Sequence, residues 1–84
     1  MIVVAWQVAW FHLERKMLLT INSLVVTRIP RFRVRQDGRG VWTLHISGVN
    51  EADRGRYMCQ LNTEPILSQT GYLDVVGESE EFTL

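Results

Sequence analysis

Asp53-Arg54-Gly55-Arg56-Tyr57-Met58-Cys59 decides the fold of this chain. Gly55 permits a tight turn. The residues after it alternate, so Tyr57, Cys59 and Leu61 share one face of a strand while Met58, Gln60 and Asn62 share the other. Upstream, Trp42, Leu44 and Ile46 alternate in the same way, with Val49 beyond them. The two runs predict a strand on either side of a corner. Cys59 is the only cysteine among the 84 residues, so an internal disulfide is impossible.

Outward from this corner the chain reads as short strands between turn signals, with little helical periodicity. Strands are predicted at Val8–Leu13, Met17–Ile21, Leu24–Thr27, Phe32–Arg35, Val41–Ser47, Gly55–Asn62 and Leu67–Val76. Glu14-Arg15-Lys16 is a charged turn, Asn22-Ser23 and Gln36 to Gly40 are breaks, and Thr63-Glu64-Pro65 closes a hairpin. Val49–Arg54 predicts a single helical turn leading into the corner. The phase set by Tyr57 and Cys59 predicts a core of Trp10, Leu44, Ile46, Tyr57, Cys59, Leu61, Leu73 and Val75, with Phe32 and Val34 beside it.

Eighty-four residues allow one domain, and one this short buries proportionally little surface. The net charge of zero gives no global pull toward nucleic acid or a membrane. The charge is nevertheless segregated. Arg28, Arg31, Arg33, Arg35 and Arg39 crowd the middle, with Asp37 the only acid among them, and Asp74, Glu78, Glu80 and Glu81 crowd the end. Residues 1–13 carry no charge, yet they lack the basic start and small-residue cleavage site of a secretory leader and are too short to span a bilayer as a helix.

The ordered series Val8-Ala9-Trp10, Leu18-Leu19-Thr20-Ile21, Val26-Thr27-Arg28 with Pro30-Arg31, Trp42-x-Leu44-His45-Ile46, Tyr57-Met58-Cys59-Gln60-Leu61-Asn62-Thr63 and Gly71-Tyr72-Leu73 carries a resemblance. It is similar to the first, variable-type immunoglobulin domain of the insect lachesin, amalgam and Dpr-interacting protein group, relatives of the IgLON family. The resemblance implies an all-β immunoglobulin-like sandwich, incomplete, holding strands C, C′, C″, D, E, F and G. Strands A and B, with the first Cys of the domain, have no counterpart in it, so the domain is expected to be N-terminally truncated. Residues 8–76 are the partial variable-type domain, 1–7 a divergent extension of strand C, and 77–84 an acidic, disordered tail. The implied function is cell-surface recognition in neuronal adhesion, homophilic or heterophilic, toward other immunoglobulin-superfamily proteins through the C–C′–C″–F–G face; the alternative is a truncated, non-functional fragment of such a protein. The implied location is extracellular, with membrane attachment only through other parts of a longer protein. An enzyme activity, a cofactor, a metal, a nucleic acid or a small-molecule substrate is not expected.

The resemblance also assigns roles to residues. Trp10 is the strand-C tryptophan of the core, Tyr57 the tyrosine of the E–F corner beside Gly55 and Cys59, and Arg31 the arginine that reaches Asp53. With Trp10 inward, alternation sends Phe11 and Leu13 outward. With Leu19 and Ile21 on one side of them and Met58, Gln60 and Asn62 on the other, they make an apolar and amide face suited to a partner. Arg33 and Arg35 face away from Phe32 and Val34, either as edge-strand protection or as a glycan-binding pair. His12, His45 and Cys59 do not have the spacing of a structural zinc site. Without strand B, strand E keeps an open edge. The expectation is a poorly stable chain that associates through that edge, with Cys59 a free thiol or an intermolecular disulfide.

Overall fold

Backbone hydrogen bonding sorts the chain into two antiparallel sheets. The structure is a computed structural model and describes residues 7–74 and the backbone of 79–83. Its strands are β1 (Val8–His12), β2 (Met17–Ile21), β3 (Leu24–Val25), β4 (Phe32–Gln36), β5 (Trp42–Ser47), β6 (Gly55–Leu61), β7 (Leu67–Leu73) and β8 (Ser79–Thr83), with a 3₁₀ turn at Glu51–Asp53. The first sheet runs β3-β2-β1-β6-β7 and the second β4-β5-β8.

Local chemistry makes the turns. Asn22 tolerates the left-handed φ of 51° that the two-residue β2–β3 connection needs, and its Oδ1 accepts the Val8 N–H at 2.9 Å. In the β4–β5 turn, Asp37 Oδ1 accepts the N–H groups of Arg39 and Val41 at 2.8 and 3.1 Å. Asn50 caps the 3₁₀ turn through the Ala52 N–H while the Asp53 carboxylate takes the Asn50 N–H, each at 2.9 Å. Gly55 is favoured by its backbone, and a larger residue there would also displace the flexible end of Glu14. Its φ is +133°, and a Cβ there would lie 2.6 Å from the carboxyl of Glu14, which accepts the Arg56 N–H.

The core lies between the sheets and consists of Val8, Trp10, Leu19, Phe32, Leu44, Ile46, Tyr57, Cys59 and Leu73, with Leu61, Val34, Trp42 and Met17 packed against it. Val75 and residues 1–6 lie outside the described residues, as does the proposed extension of strand C apart from Gln7.

Three expectations need correction. Leu19 does not face outward; it is fully buried. The β1–β2 register explains this: Trp10 pairs with Thr20 and Phe11 with Leu18, so Leu19 is the extra residue of a β-bulge. Leu19 and Thr20 both point inward, and the outward phase passes to Leu18. Second, the expected disordered tail is a strand over residues 79–83, pairing antiparallel with β5 from Thr43↔Thr83 to Ser47↔Ser79. Third, the strand-E edge is therefore not open: β8 satisfies the backbone groups of β5 on the side away from β4.

The bulge sets a test. Leu19→Ala should destabilise the chain by about 2–5 kcal/mol as a core truncation, and Leu18→Ala, one residue away, by less than about 1 kcal/mol. Urea denaturation of the two variants reads the difference. Equal losses would place Leu19 outside the core.

Candidate functional site

The outer face of the five-stranded sheet holds the candidate site. Alternation on β6 turns Tyr57, Cys59 and Leu61 inward and Arg56, Met58 and Gln60 outward. Cross-strand register sets Phe11 against Met58 and Leu18, and Ala9 against Gln60 and Ile21. On β7, Thr70 lies opposite Met58 and the exposed Tyr72 opposite Arg56. Part of this face is a recess of about 220 Å³ whose floor is Ala9, Phe11, Leu18 and Ile21 and whose polar rim is Gln7, Gln60 and Asn62. The small side chain of Ala9 leaves the hollow between larger neighbours. Asn62 fixes the rim, since its Oδ1 accepts the Gln7 N–H at 2.7 Å and its own N–H donates to the Gln7 carbonyl at 3.2 Å.

Of the residues expected on this face, the structure gathers Phe11, Ile21, Gln60 and Asn62 around the recess and puts Met58 next to Phe11. Leu13 lies past the end of β1, half-buried, its N–H donating to the Arg56 carbonyl at 2.9 Å. Leu19 is absent from the face. Leu18, Ala9 and Gln7 were missed by sequence reasoning. Leu18 needs the bulge to be known, and Ala9 is too small to advertise itself as a contact residue.

A second constellation holds the two sheets in register. The Asp53 carboxylate is fully buried. Arg31 grips it with both guanidinium nitrogens, Nη1 to Oδ2 and Nη2 to Oδ1, the latter at 2.9 Å. Arg15 Nη2 donates to the same Oδ1 at 2.9 Å, a partner that the reading of 14–16 as a charged turn did not supply. Tyr57 donates its hydroxyl to the Asp53 carbonyl at 2.6 Å. The His12 ring stacks on Tyr57, 4.4 Å between centroids and 6° from parallel, and its Nε2 donates to the Arg54 carbonyl at 3.1 Å.

Burial pushes the Asp53 carboxyl upward, but Arg31, the Asn50 N–H and Arg15 together hold it below the usual carboxylate value. Burial pushes His12 down, and the Arg15 charge adds to this against the opposing Arg54 carbonyl, Glu14 and Asp53. Cys59 is a free, buried thiol whose pKa burial raises to about 11, so it is protonated at neutral pH and enclosed against a second chain. His45 sits on the outer side of β5, whereas His12 and Cys59 are interior. Among the described residues no three His, Cys, Asp or Glu side chains gather as metal ligands, and no helix is long and apolar enough to cross a membrane.

Two sheets packed face to face, with a tyrosine anchored at the corner before β6 and a tryptophan on the paired strand, define an immunoglobulin-like β-sandwich. Comparison with solved structures agrees. A chain of the crystal structure of Dpr1 IG1 bound to DIP-eta IG1 matches with a TM-score of 0.80 and 42% identity, covering 84% of this chain and 68% of that one. The RIG-5 IG1 homodimer matches at 0.75 and 36%, covering 83% and 68%. Among curated proteins, the Zwei Ig domain protein zig-8 of Caenorhabditis elegans is 29% identical over 70 residues. That alignment takes in 83% of this chain but 26% of the relative, so the chain spans about a quarter of that protein's length. No protein-family model matches. The chain belongs to the family of immunoglobulin domains formed by the IG1 domains of the Dpr, DIP, ZIG-8 and RIG-5 proteins.

Two tests follow from the corner. Asp53→Ala leaves Arg31 and Arg15 without their shared carboxylate and should cost about 3–5 kcal/mol, read by urea denaturation; a loss below 1 kcal/mol would show the pairing to be dispensable. The pH dependence has a definite sign. A depressed pKa means that the folded state binds fewer protons than the unfolded one, so stability rises with pH through the titration. The His12 contribution should be complete above about pH 6.5 and decline as pH falls toward its lowered value; that of Asp53 should be complete above about pH 4 and decline below it. Melting temperatures should show the first decline in the parent chain and none in His12→Phe, whatever that variant's baseline. An identical slope in both would acquit His12.

Proposed function

We propose that the chain is a recognition module of the cell surface that binds another immunoglobulin domain, a second copy or a different protein, through the outer face of the β3-β2-β1-β6-β7 sheet. The observation that carries this is the recess: an apolar floor of Phe11, Leu18, Ile21 and Ala9, free of charge, inside a rim of side-chain amides. A dry centre with hydrogen-bonding edges is the anatomy of a protein–protein contact, and the hollow has the size to take one aliphatic or aromatic side chain. The relatives support the reading. Dpr1 IG1 is bound to DIP-eta IG1, ZIG-8 IG1 occurs as a homodimer and in a heterodimer with RIG-5, and RIG-5 IG1 as a homodimer. We extend the reading to an extracellular location, to neuronal adhesion, and to kinship with the lachesin, amalgam and IgLON proteins, on the strength of the sequence series alone. The role is binding without catalysis.

Phe11→Asp places a charge on the floor of the recess. It should weaken association with the chain itself, or with Dpr-class and DIP-class IG1 domains, by about 30-fold or more, the equivalent of roughly 2 kcal/mol at a central anchor. Surface plasmon resonance against that panel and sedimentation velocity of the chain alone make the measurement, with the melting temperature as the check on folding. A folded Phe11→Asp chain that binds as tightly as the parent would remove this face from the interface.

A further inference from the structure

The second sheet carries a feature that the partner face leaves unexplained. Arg15, Arg31, Arg54 and Arg56 each hold a carboxylate: Asp53 for the first two, Glu51 and Asp74 for Arg54, Glu14 for Arg56. Arg33 and Arg35 do not. They stand exposed on β4, the edge strand of its sheet, and make no ion pair among the described residues. The inward phase of β4 belongs to Phe32 and Val34, so both arginines point away from the core on the same side, about 6.8 Å apart along the strand. The residues opposite them on β5 are His45 and Thr43, neither of them acidic. Asp37, at the end of the hairpin, turns its Oδ1 to the N–H groups of Arg39 and Val41. The register sets Glu81 of β8 level with His45, two strands and about 10 Å from β4. Arg28 and Arg39, both exposed, flank the strand at either end in sequence.

We infer that β4 is a binding site for a sulfated glycosaminoglycan, with Arg33 and Arg35 as its paired anchors. The guanidinium is a planar fork that donates two parallel hydrogen bonds to an oxyanion, and a straight strand presents two such forks at a fixed repeat. A linear, flexible polyanion can lie along that row. The outward residues of β4 and β5 include no apolar side chain to enter a bilayer, which favours a glycan chain over an anionic lipid surface. The site lies on the sheet that the proposed partner face does not use, and the inference stands or falls without it.

The experiment measures binding of the chain to an immobilised heparin octasaccharide across a range of NaCl concentrations. The parent chain should bind at 0.15 M NaCl and lose affinity steeply as salt rises. Arg33→Ala/Arg35→Ala should lower affinity about tenfold or more and reduce the salt exponent by about 2, one for each anchor removed. Its melting temperature should stay within a few degrees of the parent's, since both side chains are exposed. Ser23→Glu, which adds one negative charge at the β2–β3 turn of the other sheet, should leave heparin affinity within about twofold. Desulfated heparin should not compete. The inference is overturned by a double variant that binds heparin like the parent, by an equal loss in Ser23→Glu, which would reduce the effect to net charge, or by phosphatidylserine vesicles competing as well as heparin at equal charge.

Discussion

The structure turns on one buried carboxylate. Asp53 sits where the chain passes from the second sheet to the first, and four separate elements converge on it. Arg31 comes from the approach to β4, Arg15 from the β1–β2 turn, the Tyr57 hydroxyl from β6, and the Asn50 N–H from the 3₁₀ turn. A carboxylate removed from water is tolerable only when it is paired and hydrogen-bonded; Arg31, Arg15 and the Asn50 N–H do this for the Asp53 carboxylate, while the Tyr57 hydroxyl bonds the Asp53 backbone carbonyl. The bond set ties the two sheets at one end. That role matters more here because the interior has no covalent tie: Cys59 faces Trp10 across the β1–β6 ladder as a lone thiol. Replacing a buried ion pair by apolar packing is often no loss in stability, so the contribution of this cluster is better placed in registry.

How much of this the sequence discloses depends on contrast along each strand. On β5, large apolar residues alternate with polar ones, and on β6 the Tyr-x-Cys spacing marks the inward face, so the phase is readable and one buried member fixes the rest. On β2 the run Met17-Leu18-Leu19-Thr20-Ile21 has almost no contrast. Four of its five residues are apolar, and neither phase looks wrong. A bulge there costs no visible mismatch, and it moved Leu19 into the core and Leu18 onto the face. The recess itself depends on Ala9 lying between larger side chains of neighbouring strands, a cross-strand relation that no local pattern encodes. Arg15 was hidden for a different reason. A charged turn looks the same whether its cation is solvated or folded inward onto a carboxylate 38 residues away.

Residues 79–83 show where hydropathy stops being a guide. Ser-Glu-Glu-Phe-Thr has no strand-like alternation strong enough to announce itself, yet its backbone pairs with β5 from Thr43 to Ser47. What recruits it is the edge. A row of N–H and C=O groups beside a buried strand is unfavourable to leave unpaired, and it accepts any segment that can reach it in extended form. The pairing is a backbone matter, which is why a composition that reads as a solvated tail can still complete a sheet.

The zero net charge is a sum over two different electrostatic regimes. Around the corner, every arginine is matched: Asp53 takes Arg31 and Arg15, Glu51 and Asp74 take Arg54, and Glu14 takes Arg56. Those acids are spent at short range, and at distances beyond about 8 Å in physiological salt they do little to the rest of the surface. The neutral sum therefore leaves the outer face of β1, β2 and β6 with an uncharged recess, where burial against a partner carries no desolvation penalty for ions, and leaves β4, at the opposite side of the sandwich, with cations that have no ion pair among the described residues. One sheet is prepared for an apolar contact and the other for an ionic one. Because the core and the Asp53 cluster lie between them, a substitution on either outer face can alter its own contact without passing through the other.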